Sequence, residues 1–379
     1  MIYLDNNATT RPVPEVIAAM THALEEGWAN PSSKHPLGEN AKRLLTAARA
    51  EVASFIGAQP VEVVFTSGAT ESNQQVLHGA LQRPDMPRRI ILSAIEHSGF
   101  LKAALRLRQE GVEVCLLEVD SDGRVRLDSL REALQQDAAL VSVMAANNET
   151  GVLQPVNEIC ALVREHGIPM HVDATQIAGK QAFSFADCGA DLLSLSAHKL
   201  HGPKGVGALL IRKGLSWPVM LAGQQERARR GGTENLPGIA GFAAAARHAA
   251  ALMPTEIRRQ LHLREALEAR LERIPGCVIH GRGAARLPNT VSLRIDGLSA
   301  DKLLATLERA GICASSGAAC ASGGSNPSHV LLAMGVEASQ ALGAIRISLG
   351  IDTEAEQLSQ LADLLQTMSD ALMPAAAVS

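Results

Sequence analysis

Residues 192–205 read Leu192-Leu193-Ser194-Leu195-Ser196-Ala197-His198-Lys199-Leu200-His201-Gly202-Pro203-Lys204-Gly205. The apolar run predicts a strand over Leu192–Leu195, and the Gly-Pro-Lys-Gly that follows is turn chemistry. Between them a lysine stands behind a hydroxyl and an imidazole, at the carboxyl end of the strand. Upstream, His171-Val172-Asp173-Ala174-Thr175-Gln176 repeats the pattern: the run Pro169–Val172 is a strand, and a carboxylate stands where it finishes.

Outward from these two segments the same alternation continues. Val61–Thr66, Arg89–Ser93, Val112–Leu117 and Leu140–Ala145 are further strand candidates. Helical spacing covers 14–26, 38–56, 98–110, 127–136 and 155–166. A helix is also expected to start within Ser67–Asn73, capped by the hydroxyls there. Strands that alternate with helices predict an α/β fold, a mostly parallel sheet covered by helices. Ligands of such sheets collect beyond the carboxyl ends of the strands. Ser67–Asn73, Glu96-His97-Ser98, Asn147-Asn148-Glu149-Thr150 and Asp173–Gln176 all fall at those ends. One site built from four segments is the economical reading, and four unrelated surface loops is the alternative.

Met253-Pro254-Thr255 predicts a break, followed by a long amphipathic helix that Pro275-Gly276 stops near Ile274. The segments 278–295 and 300–347 then read as a smaller α+β unit closed by a helix over 353–372. The expected organisation is a large domain of residues 15–254 and a small domain of 1–14 with 255–379.

Composition narrows the function. Of 379 residues, 46% are hydrophobic and 20% charged, ordinary values for a soluble globular protein. The net charge is -4, and Arg227, Arg229 and Arg230 form only a local cluster, so nucleic acid is not an expected direct ligand. No run of about 20 apolar residues suggests a membrane span. The start, Met1-Ile2-Tyr3-Leu4-Asp5-Asn6-Asn7, lacks the features of an export signal, so a cytoplasmic protein is expected. The six cysteines (115, 160, 188, 277, 313 and 320) show neither Cys-x-x-Cys spacing nor a metal pattern with histidines. They read as reduced thiols, mostly in the core, with no resident metal.

A lysine that can form a Schiff base and an aspartate that can hold a pyridinium nitrogen are the two anchors that pyridoxal phosphate needs, and Lys199 and Asp173 are the candidates. Gln176 would reach the ring's phenolic oxygen. For the phosphate, Gly68-Ala69-Thr70 at a helix start supplies amides and a hydroxyl, with Ser196 and His198 as further donors. The chain has a single tyrosine and two tryptophans, so the imidazole of His97 is a candidate to stack on the ring and to move protons. Cys320 lies in a Gly-, Ser- and Ala-rich loop over 315–327, expected to be exposed and mobile, which suits a thiol that reaches into a site and swings out. Cys313, in an apolar setting, is expected in the core. Arg346 alternates with apolar neighbours in a strand and needs an anion, either a substrate carboxylate or a structural ion-pair partner. Each residue also has a plainer reading: a surface lysine, a helix-capping aspartate, a loop histidine, an incidental cysteine.

Taken together, Thr66–Asn73, Asn147–Gly151, His171–Gln176, Ser196–Gly205, Gly231-Gly232-Thr233-Glu234-Asn235 and the cysteine loop resemble the cysteine desulfurases of the NifS/IscS type. These are pyridoxal-phosphate enzymes of aminotransferase class V, and the resemblance runs from Tyr3 to Gly350. It implies an aminotransferase-like large domain of fold type I and a homodimer. It also implies that Lys199 carries the Schiff base, that Asp173 and Gln176 bind the ring under His97, and that Asn148 sits near substrate and ring oxygen. Ala69, Thr70, Ser196 and His198 would hold the phosphate, with Thr233 supplied by the second subunit. Arg346 would grip the carboxylate of L-cysteine. Cys320 would take the sulfur as a persulfide, releasing alanine, and would pass it to an acceptor such as an iron–sulfur scaffold, where it would transiently ligate a cluster shared with the partner. The loop resembles the long-loop branch of the family. The segment after Leu349 is shorter than in housekeeping members, which leaves nitrogen fixation, housekeeping clusters and tRNA or DNA sulfur modification open as destinations. Selenocysteine lyase or another class V reaction is the alternative activity.

Overall fold

In the computed structural model, which describes residues 1–83, 86–316 and 326–372, the apolar runs of the first two thirds form one seven-stranded sheet. Its strands, from edge to edge, are Val63–Thr66, Gly207–Ile211, Leu192–Ser196, Met170–Asp173, Leu140–Met144, Arg89–Ser93 and Glu113–Leu117. Only Gly207–Ile211 runs antiparallel to its neighbours. Helices cover the sheet, so most of these strands are buried along their whole length, as a parallel sheet requires. The chain is α/β, and the carboxyl ends of the other six strands lie along one edge. Asp173 is level with Met144 on one side and Ser194 on the other, which sets its carboxylate at that edge.

The helix after the first strand spans Ala69–Gln82, but no hydroxyl caps it; the cap residue is Gly68. The Ser67 amide instead donates to Glu71 Oε2 at 2.8 Å, and the Thr66 and Ser72 hydroxyls pair with each other at 2.9 Å. Close packing explains the glycine. A Cβ on neighbouring Gly207 would meet Gly68 Cα at 2.7 Å and Leu195 O at 2.4 Å, so backbone touches backbone here. The helix's first-turn amides, which have no partner within the helix, are thereby left without a side-chain cap.

The expected break at Pro254 does not occur. One helix of 36 residues, Leu236–Leu271, runs through it. An interior proline costs a helix roughly 3 kcal/mol locally. Here both halves are held by burial: Leu236, Ile239, Phe242 and Ala243–Ala246 lie in the core under the sheet, and Leu263, Leu267 and Leu271 in a second core. Ala250, whose carbonyl loses its donor, is exposed and can be hydrated.

That second core joins the long helix to Ala300–Arg309, Ala355–Asp370 and an antiparallel sheet ordered Ser315–Ser316, Ile345–Ser348, Thr290–Ile295, Cys277–Ile279. The N-terminus enters here. Ile2–Tyr3 pairs in parallel with Ile312–Cys313, and Asp5 bridges to Ser348. The following residues then cross to the carboxyl edge of the large sheet. Of the five described cysteines, only Cys160 and Cys188 are buried, and burial pushes the Cys160 thiol up to about 12. Cys115, Cys277 and Cys313 are half-buried, because each lies on a strand near an edge of its sheet. No helix among the described residues is long and apolar enough to cross a membrane.

Glu268, fully buried on the long helix, ties it to the loop before Thr290: its carboxylate pairs with Arg286 at 2.7 Å and Arg282 at 2.8 Å, with Arg264 at 3.7 Å. Removing one member of a buried ionic group strands the others. Glu268→Ala is expected to lower unfolding stability in urea by about 3 kcal/mol, with Leu263→Ala as a reference for simple loss of packing.

Candidate active site

At the carboxyl edge lies a cavity of about 730 Å³. The crossing N-terminal segment closes one side, and Arg346 and Ser315 of the smaller sheet close another. His97, Asn148, Asp173, Gln176, Ser196, His198 and Lys199 all line it, as do Gly68, Ala69 and Thr70 at the uncapped helix start. The separate polar clusters therefore converge. Thr233 does not join them within this chain. It is exposed and lines an adjoining cavity of about 230 Å³ with Thr66, Ser67, Glu226 and Arg230. Cys320 lies outside the described residues.

Lys199 sits on the short turn after Leu192–Ser196, and its Nζ donates to the carbonyls of Asn7 at 2.6 Å and Ala8 at 2.8 Å. Asp173 accepts from Asn73 Nδ2 at 2.8 Å on one oxygen and from the Thr175 amide at 2.9 Å on the other. Both donors are neutral, so they aim the carboxylate without neutralising it. The Thr175 hydroxyl and Asn73 Oδ1 are buried without hydrogen-bond partners among the described residues, polar capacity that a ligand could satisfy.

His97 caps the helix Ser98–Arg106, accepting the Gly99 amide on Nδ1 at 3.2 Å. Its proton therefore sits on Nε2. Burial lowers its pKa, the Lys199 and His329 charges act the same way, and Asp173 opposes them. Burial, with Lys199, Lys204 and Lys180, takes His198 down to about 4, and its Nδ1 contacts the Thr9 hydroxyl at 3.1 Å. Both imidazoles are neutral at physiological pH. Beneath them Glu96 is fully buried, one oxygen accepting the Met144 amide at 2.7 Å; burial and the Asp173 charge push its pKa well above the carboxylate range.

Arg346 makes the ion pair that was one of its two readings: a terminal nitrogen reaches Asp5 Oδ1 at 2.7 Å, and another donates to the Asn148 carbonyl at 3.0 Å. It also lines the cavity, and its buried Nε has no hydrogen-bond partner among the described residues. Gln176 donates from Nε2 to the Asn7 carbonyl at 3.1 Å. The residues that sequence reasoning missed as site members are the partners: Asp5, Asn7, Thr9, Asn73, Lys180, Lys204 and Ser315. Asn73 stood at the end of a recognised polar cluster. Asn7 and Asp5 gave no local signal, since their partners are more than a hundred residues away.

The arrangement is an amine, an aimed carboxylate, neutral imidazoles, an uncapped helix start and a guanidinium around one cavity. The aminotransferase class-V family model matches residues 2–361. The chain is similar to the cysteine desulfurase of Rhodobacter capsulatus, 45% identical over 98% of this chain and 97% of that one. Among solved structures it is similar to a NifS-like protein, with a TM-score of 0.91 and 37% identity over 98% of this chain and 100% of that one. It is also similar to SspA in complex with cysteine, at 0.81 and 31% over 92% and 99%. The chain belongs to the aminotransferase class-V family and, within it, to the cysteine desulfurases of the NifS/IscS type.

Glu149, buried at the back of the Asn147–Gly151 turn, accepts the hydroxyl of Ser328, and burial raises its pKa to about 7. A carboxyl group held above its unfolded value near 4.5 favours folding at low pH, and that contribution is lost as pH rises to about 7. Urea unfolding at pH 5 and pH 8 is expected to show Glu149→Gln gaining on the wild type at the higher pH, by up to about 3 kcal/mol. An equal difference at both pH values would refute the shift.

Proposed function

We propose that the cavity holds pyridoxal phosphate and that the chain removes sulfur from L-cysteine, releasing L-alanine and leaving a persulfide on Cys320. The observation that carries this is the convergence of Lys199 and Asp173 on one cavity, with the uncapped start of Ala69–Gln82 among its walls. The donor set fits the group. The Asp173 carboxylate suits a protonated ring nitrogen. Ala69, Thr70, Ser196 and His198 suit a phosphate, with Thr233 added by a second copy of the chain in a homodimer. Gln176 suits the ring's phenolic oxygen, and His97 a ring face.

When bound, the cofactor supplies an electron sink for the substrate's α-carbon. The chain's own residues do the rest. Lys199 provides the amine that the cofactor occupies between turnovers. Asp173, oriented by Asn73 and the Thr175 amide, keeps a proton on the ring nitrogen. Arg346, on the cavity wall beside Asn148, is the cation suited to the substrate carboxylate. His97, neutral with its proton on Nε2, is the group suited to carry a proton. Cys320 enters on sequence grounds alone. Its thiolate attacks the substrate sulfur, the carbon–sulfur bond breaks, a sulfur–sulfur bond forms, and the proton from the thiol ends on the alanine methyl group. No external oxidant or reductant is needed.

The persulfide then passes to a protein acceptor, such as an iron–sulfur scaffold, in a cytoplasmic setting. The two cores support a large domain of 15–254 and a small one of 1–14 with 255–379, with the long helix shared between them. The test uses purified protein with L-cysteine and a reducing thiol. Cys320→Ala is expected to lose sulfur release by at least about a hundredfold while remaining yellow. Lys199→Ala is expected to lose both colour and activity. Undiminished sulfur release by Cys320→Ala would end the persulfide reading.

A further inference from the structure

Lys180 lies behind the cavity wall, four residues after Gln176, and is 9% exposed. Its Nζ donates to Gln176 Oε1 at 2.7 Å and to Asn7 Oδ1 at 3.3 Å. No ion pair within 4 Å joins it to a carboxylate among the described residues. A buried cation without a counter-charge is costly, and burial, with the charges of Lys199 and Arg346, lowers its pKa well below the usual lysine value. An apolar side chain would fill this space at less cost, so the amine's presence calls for a physical reason.

The reason lies in the polarity of its neighbours. Amide side chains can point either end at a partner, whereas an ammonium only donates. Facing Lys180, Gln176 must present its oxygen, which turns Nε2 the other way, where it donates to the Asn7 carbonyl that also receives Lys199 Nζ. Asn7 is constrained in the same sense. Its Oδ1 accepts from Lys180 and from Asn289 Nδ2 at 3.0 Å, so its Nδ2 must donate, and does, to the Asn148 carbonyl at 3.2 Å and Thr290 Oγ1 at 2.9 Å. A neutral amine at 180 can keep both donations, but it also carries a lone pair, so only the ammonium form excludes the flipped amides.

We propose that Lys180 is a positioning residue: by donating to Gln176 and Asn7 it fixes the orientation of both amides, so that Gln176 offers an N–H, not a carbonyl, to the ring oxygen of the bound cofactor. This rests on the pyridoxal-phosphate reading above.

The test is a double-mutant cycle on holoenzyme, reading the visible absorption band against pH and the retention of pyridoxal phosphate, alongside the thermal midpoint. Lys180→Met, similar in length and without a donor, is expected to weaken cofactor retention about tenfold and to move the pH midpoint of the band in the direction that Gln176→Ala moves it. The double variant is expected to be no weaker than Gln176→Ala alone. Lys180→Gln can offer either a donor or an acceptor, so it is expected to show the same spectral change and the same non-additivity at smaller size, and it decides the matter if Lys180→Met does not fold. Additive losses in the cycle, or a lowered thermal midpoint with an unmoved band, overturn the role for Lys180. A colourless wild type overturns the cofactor reading itself.

Discussion

Asn7 is where the two halves of the molecule are fastened together. Its carbonyl accepts from Lys199 and Gln176, its side chain bonds Lys180, Asn289, Thr290 and the Asn148 carbonyl, and its amide donates to the Ser348 hydroxyl at 2.9 Å. These partners come from the carboxyl edge of the parallel sheet and from the antiparallel sheet of the second core. A single residue, delivered by a segment that first pairs with Ile312–Cys313, thus sets how the amine, the amide donor and the Arg346 strand stand around one cavity. Every donor and acceptor of Asn7 is used, which makes the junction specific as well as strong.

Electrostatics in the cavity follow from burial. Neutral donors hold Asp173, so its charge remains available to a cationic ring and to the imidazoles. Desolvation, with the same charge as a second cause, raises the pKa of neighbouring Glu96 well above its ordinary value. The imidazoles of His97 and His198 stay neutral because they are buried among lysines. Charge is thereby concentrated on few groups: the aimed Asp173 carboxylate, the Asp5–Arg346 pair and the lysines near them. A site of this kind can bind a doubly charged phosphate at one end and a carboxylate at another without mobile counter-ions between.

The alternation of strands and helices was legible because each buried strand is a nearly continuous apolar run and each covering helix keeps its apolar spacing. The site was legible for a related reason: parallel topology sends strand ends to one edge, so polar clusters after strands must meet. Where local signals misled, packing overrode them. Pro254 reads as a break, but the helix is clamped at both ends by separate cores. Ser67 and Thr70 read as caps, but the close approach of Gly207 makes Gly68 the cap residue. Cys313 reads as core, but among the described residues its strand pairs only with Ile2–Tyr3.

By itself the sequence determined the fold class and the sheet's sense, named Lys199, Asp173, His97 and Arg346 as candidates that the structure brings to one cavity, and carried the motifs that resemble the family. Those properties are written in short windows, where the backbone period and the residue's own chemistry suffice. Only the tertiary structure decided what each of them touches: Asn73 beneath Asp173, Asp5 against Arg346, Asn7 under Lys199, Lys180 behind Gln176. These contacts join residues far apart in the chain, and they form because the edge of one sheet, the start of the chain and a strand of the second core are packed together. A hydrogen bond's value depends on that packing, since only burial makes an unmet donor costly, and no local window records which distant partner will meet it.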